Sequence, residues 1–301
     1  MSIILEVKKV SKSYSAHRAL HQVSFNVPAN SIFGLLGPNG AGKTSLIRII
    51  TNITQADEGE VLLNGQNTTN IPRGTIGYMP EERGLYKKMK VAEQLEYFCL
   101  LRRMSPRLAA ERVHYWLRKM NIADWAHNNV EELSKGMQQK IQFIATVMHE
   151  PPLLILDEPF SGLDPVNTEL IMAEILELKQ KGTTIIFSTH RMEQVEEICD
   201  RIVLINKGEN VLEDAVDTLK QKWKENIFNV AFETHPDTTA LPTGIQLQKD
   251  ADDLMVLKSE DRHTVNRFIR EQITAGNELV HMEEVLPSLN DIFIKKVNEK
   301  V

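Results

Sequence analysis

One octapeptide limits the folds open to this chain. Gly37-Pro38-Asn39-Gly40-Ala41-Gly42-Lys43-Thr44 fills every fixed position of the pattern G-x-x-x-x-G-K-[ST]. The apolar run Ile32–Leu36 precedes it, and Leu46, Ile47, Ile49, Ile50 and Ile53 follow at helical spacing. Strand, glycine loop and helix in this order form an anion cradle. Glycines let backbone N–H groups curl round an anion without Cβ clashes. The helix N-terminus adds partial positive charge. The pattern therefore predicts that Lys43 reaches the β- and γ-phosphates of a nucleotide and that Thr44 holds Mg²⁺.

Around this loop the chain alternates strand and helix signals. Ile3–Val10, Val23–Val27, Gly59–Leu63, Thr75–Met79, Leu153–Leu156 and Thr184–Ser188 read as strands. Thr44–Ile53, Asn167–Gln180 and Met192–Cys199 read as helices. Ile202–Ile205 and Asn210–Leu212 flank Lys207-Gly208 as a hairpin. Strands separated by helices predict an α/β fold whose parallel sheet is covered on both faces. Residues 91–150 carry only helical stripes and read as a helical insert. Ala215–Trp223 reads as a linking helix. Beyond it, Ile227–Phe232, Leu254–Leu257 and a helical Val265–Ile273, with a loop at 235–243, predict a small α+β domain. The expected organisation is residues 1–223 and 224–301.

Two further segments carry chemistry. Leu153–Leu156 runs into Asp157-Glu158, which places two carboxylates at the end of a strand where open α/β sheets bind ligands. Asp157 fits a second Mg²⁺ contact. Glu158 fits the base or water-orienting group for attack on a γ-phosphate. Leu133-Ser134-Lys135-Gly136-Met137 opens a helix. Ser134 there is a cap, and a capped helix N-terminus is also an anion site.

With these segments in order, residues 1–215 resemble the ATP-binding cassette (ABC) ATPases, P-loop NTPases with a mixed sheet and a helical insert. Leu133–Met137 resembles the family's signature motif, Ser161-Gly162-Leu163-Asp164 its D-loop, and Ser188-Thr189-His190 its switch histidine. Tyr14 resembles the aromatic residue that stacks on adenine. The resemblance implies ATP and Mg²⁺ as cofactors. It assigns Tyr14, Gly37, Pro38, Asn39, Gly40, Ala41, Gly42, Lys43, Thr44, Ser45, Ser134, Gly136 and Asp164 to the nucleotide, and Thr44, Glu81 and Asp157 to the metal. Lys43, Glu158 and His190 are the catalytic expectation. In the family, Pro-Gln usually follows the strand Thr75–Met79; here Pro80-Glu81 stands there, and a carboxylate can ligate Mg²⁺ but repels a γ-phosphate. Lys135 and Met137 replace the commoner Gly and Gln of the signature.

The segments Pro80–Tyr86, Glu131–Lys140 and Ile155–Pro165 together resemble the ATPases of ABC-2-type, sodium-efflux-like exporters, and the ending Leu286–Phe293 fits the small C-terminal domain of that subgroup. One phosphate loop and one signature motif per chain imply a head-to-tail partner, a second copy or a related ATPase subunit. A separate transmembrane permease is implied as well. The N-terminus lacks the pattern of a signal peptide, and no apolar run approaches the ~18–20 residues that span a bilayer. Membrane contact is expected only through the permease, at the cytoplasmic face, with Glu81–Met89 as the candidate contact. Net charge is −6, from 35 basic and 41 acidic residues, which argues against direct nucleic-acid binding through bulk charge. A soluble cassette ATPase acting on ribosomes or DNA is the alternative. Such forms usually carry paired cassettes or a long coiled coil, and this chain has neither. Cys99 and Cys199 read as core thiols rather than a disulfide. His17 and His21 lack further ligands at metal spacing.

Overall fold

The computed structural model describes residues 2–298 apart from 16, 73, 83, 237–240 and 252–253. Arg83 and part of the expected loop at 235–243 lie outside the described residues. The chain divides into two compact units, Met1–Ala215 and Val216–Val301.

In the first unit the short, wholly apolar segments become the centre of a six-stranded sheet. β3 (Ile32–Leu36), β7 (Leu153–Asp157) and β8 (Thr184–Ser188) are buried along their whole length. That burial pattern belongs to parallel strands covered on both faces. With β6 (Ile76–Met79), β9 (Arg201–Asn206) and β10 (Glu209–Ala215), the order is β10-β9-β3-β8-β7-β6. β9, β3, β8, β7 and β6 run parallel, and β10 turns back antiparallel through the expected hairpin.

A second, antiparallel sheet orders as β2-β1-β4-β5, from β1 (Ile3–Tyr14), β2 (His17–Pro28), β4 (Glu58–Leu63) and β5 (Gln66–Asn67). The sequence predicts a β1 that stops at Val10 and a β2 that starts at Val23. Both strands instead run on as a twelve-residue pair. Register shifts at Val7/Val10, Val10/Lys12 and Lys12/Ser13 break the alternation that marks a strand, while the pairing continues to Tyr14↔His17. Val7, Val10, Leu20, Val23 and Phe25 from this sheet share a core with Phe33, Leu46, Ile47 and Ile155.

Among the described residues of this unit, side-chain caps set the start of three α-helices, and the one expected from Asn167 begins two residues earlier, at Pro165. α1 spans Lys43–Ile50, three residues shorter than expected at its C-terminal end. The insert holds α2 (Val91–Leu101), α3 (Pro106–Lys119) and α4 (Lys135–Val147). Ser105 and Ser134 accept the Leu108 and Met137 amides, each at 3.3 Å. α5 (Pro165–Gln180) is capped by Asp164, with Pro at the first helical position, and α6 covers Met192–Ile198. Lys119 ties the insert to α5 through Glu174 at 2.6 Å and Glu177 at 2.7 Å. Arg112 adds a bidentate pair with Glu150.

Between α4 and β7, burial and then the charge of Arg102 push the His149 imidazole down to about 3. The unfolded chain therefore takes up this proton near pH 6.5, well before the folded one. Stability falls as pH drops below 6.5, by up to about 1.4 kcal/mol per pH unit. Melting curves from pH 7 to 4 are expected to fall less steeply in His149→Gln.

In the second unit, α7 (Val216–Lys222) leads to an antiparallel sheet with order β12-β13-β11-β14. Its strands are β11 (Ile227–Phe232), β12 (Ile245–Ala251), β13 (Leu254–Ser259) and β14 (Leu279–Val285). Phe228, Val230, Met255 and Leu257 pack on Val265, Phe268 and Ile269 of α8 (Arg262–Thr274). α9 (Leu289–Asn298) closes the unit beside α7.

Candidate active site

Four consecutive strands deliver the expected residues to one end of the parallel sheet. β3 opens into the glycine loop, β8 into Thr189 and His190, β7 ends at Asp157-Glu158, and β6 leads to Pro80-Glu81. A cleft of about 360 Å³ lies there, lined by Tyr14, His17, the loop from Asn39 to Ser45, Glu81, Asp157, Glu158 and His190.

The loop is shaped by its glycines. Gly42 has φ 109°, and a Cβ there would stand 2.5 Å from the Ala19 carbonyl oxygen. Gly42 is also the N-cap of α1, and no side chain caps the helix, so its first N–H groups are left for an anion. Lys43 donates from Nζ to the carbonyls of Gly37 at 2.6 Å and Pro38 at 3.1 Å. Burial pulls its pKa down, against the opposing pull of Asp157, Glu158 and Glu81.

Asp157 is 5% exposed, and burial pushes its carboxyl pKa up. The Ser188 hydroxyl beside it opposes that shift, and Glu158 and Glu81 add to it by like charge. Glu158 holds φ 49° at the strand end, a left-handed conformation that costs on the order of 1–3 kcal/mol in a non-glycine residue. The β8 turn fixes it there. The Glu158 amide donates to Ser188 O at 2.8 Å. Its Oε1 accepts the His190 amide at 2.8 Å and lies 2.7 Å from His190 Nδ1. Its Oε2 accepts the Thr189 hydroxyl at 3.1 Å. Thr44, Asp157 and Glu81 present a hydroxyl and two carboxylates with room for water and phosphate oxygens. An all-oxygen donor set of this kind fits Mg²⁺.

Ser134, Gly136 and Asp164 do not line this cleft. Ser134 is an exposed cap of α4, and Asp164 is an exposed cap of α5 that accepts the Asn167 amide at 2.9 Å. His17 borders the cleft, whereas the His21 ring faces Glu209 at 3.7 Å. Four residues apart on a strand, these two histidines stand too far apart to share a metal. Among the described residues, no group of three or more His, Cys, Asp or Glu side chains could hold a metal ion. Ala19 also lines the cleft and was not singled out in the sequence, and Thr189, named there only as part of the switch segment, bonds Glu158. Ala19 carried no sequence signal, because its backbone reaches the site only through its approach to Gly42 in the fold.

Residues 20–161 match the ABC transporter family, and residues 215–297 match the C-terminal domain of DrrA1-3-like ATP-binding proteins. The chain is 41% identical over 300 residues to YhaQ of Bacillus subtilis, an uncharacterised ABC transporter ATP-binding protein, with 98% of each chain covered. It is 31% identical to the ABC transporter ATP-binding protein NatA of the same organism, over 71% of this chain and 89% of NatA. A solved ATP-binding subunit of an ABC transporter superposes with TM-score 0.69 at 31% identity, covering 73% of this chain and 93% of that one.

Proposed function

Because this chain belongs to the ABC transporter ATP-binding proteins, an ATPase family, we propose that its cleft holds ATP with Mg²⁺ and drives export through a separate permease in the manner of ABC-2-type systems. The observation that carries this reading is the meeting, in one cleft, of the uncapped α1 N-terminus, Lys43, Asp157, Glu158, Glu81 and His190.

The loop from Asn39 to Ser45 binds the phosphates through backbone N–H groups, and Lys43 exchanges its two carbonyl partners, Gly37 and Pro38, for phosphate oxygens. Tyr14, 41% exposed at the cleft's rim, offers a face to the adenine. Thr44, Asp157 and Glu81 hold Mg²⁺, which when bound offsets phosphate charge and orients the γ-phosphate. Glu158 orients the attacking water and accepts its proton. His190, bonded to Glu158 in this structure, is the group that contacts the γ-phosphate.

Ser134, Gly136 and Asp164 stand outside the cleft, so they act on a second molecule. A head-to-tail pair, of two copies or of this chain with a related ATPase subunit, brings them to the partner's phosphates. No helix of the described residues is long and apolar enough to cross a membrane, which fits attachment to the cytoplasmic face through the permease. The described part of residues 81–89 offers a surface for that contact. Tyr86, Lys87, Lys88 and Met89 line an open recess with Glu93 and Tyr97, and Tyr86 is 54% exposed. A photocrosslinker placed at Tyr86 is expected to capture a membrane protein from detergent-solubilised membranes. Crosslinks formed only from the second unit would overturn this contact.

A further inference from the structure

Two buried glutamines, three residues apart on one face of α4, are bonded to backbone beside the acidic residues of the cleft. Gln139 is 1% exposed and donates from Nε2 to Pro159 O at 2.9 Å and to Glu158 O at 3.4 Å. Gln142 is 4% exposed and donates to Pro80 O at 2.6 Å and to Glu82 O at 3.4 Å, the two carbonyls that flank Glu81. The Gln142 Oε1 is buried without a hydrogen-bond partner among the described residues. A leucine would fill this position with no orphaned oxygen, so packing alone does not account for the amide. β6 ends at Met79, so the sheet ladder does not reach the segment that Gln142 braces. Glu81 and Glu82 are exposed there.

We propose that Gln142 is a positioning residue for Glu81. Its amide holds the backbone on both sides of that residue, so that the Glu81 carboxylate faces Thr44 and Asp157. The proposal rests on the reading of Glu81 as a Mg²⁺ ligand. Gln139 braces the backbone at Glu158 and Pro159 from the same face of α4.

The test is equilibrium binding of a fluorescent ATP analogue to the full chain, in EDTA and through a Mg²⁺ titration. Four proteins are compared: the parent, Gln142→Leu, Glu81→Ala and the double variant. Gln142→Leu is expected to keep the parent's affinity in EDTA but to need about tenfold more Mg²⁺ for half-maximal enhancement, the loss typical of removing a group that orients a metal ligand. The double variant is expected to match Glu81→Ala. Melting temperatures check folding, and Gln142→Met replaces Gln142→Leu if the leucine variant misfolds. A Gln142→Leu curve that overlays a Mg²⁺-responsive parent overturns the proposal alone. So does an equal shift on the Glu81→Ala background. A parent with no Mg²⁺ response overturns the metal reading and the proposal together.

Discussion

Glu158→Gln is expected to reduce ATP hydrolysis by at least ~100-fold while nucleotide binding persists. The amide matches the carboxylate in shape. Its oxygen can still accept the His190 amide, and its NH₂ group can turn toward the Thr189 hydroxyl, so the geometry at the end of β7 survives. What is lost is the capacity to take a proton from water. Binding without turnover leaves the ATP-bound state nowhere to go, so a closed dimer should accumulate with ATP and disperse in EDTA. Phosphate release and light scattering measure the two effects. Hydrolysis at the parent's rate would remove Glu158 from its role. Full loss of hydrolysis with no ATP-dependent pairing would instead remove the composite site.

Lys43→Ala is expected to weaken ATP binding by about 10- to 100-fold, the loss that attends removal of a charge-assisted hydrogen bond. The electrostatic surroundings push toward the upper end. Lys43 faces Asp157, Glu158 and Glu81, and without it one positive charge fewer offsets these carboxylates beside the phosphates. Thermal stability should change little, because Nζ is bonded only to the loop's own carbonyls. A nucleotide titration reads the effect directly. An affinity within twofold of the parent would mean that backbone N–H groups alone secure the phosphates.

The parts legible in the sequence are those that local chemistry dictates. Gly42 must adopt a left-handed backbone beside Ala19, and Asp157-Glu158 must follow an apolar strand; both constraints act within a few residues. The full β1–β2 pair was hidden because Lys9 and Gln22 take positive φ at bulges and break the two-residue period. β12 and β14 were missed in the second unit. Their sequences, IQLQKDA and LVHMEEV, form edge strands, β12 mostly exposed and β14 exposed or half-buried throughout, with little apolar alternation to detect. Gln142 was invisible for another reason. Its partner lies 62 residues away, and no local pattern distinguishes a buried amide on α4 from an exposed one.

The order β3-β8-β7-β6 carries one further consequence. The segments that carry reacting groups leave neighbouring strands of a single parallel ladder, so their lateral spacing is a multiple of roughly 4.8 Å, imposed by main-chain hydrogen bonds. The backbone frame of the cleft is therefore ordered when the domain folds, and little entropy remains to be lost at the moment ligand arrives. Heating should then abolish nucleotide capture and the sheet's circular-dichroism signal along one curve, with no earlier, softer step at the mouth of the pocket.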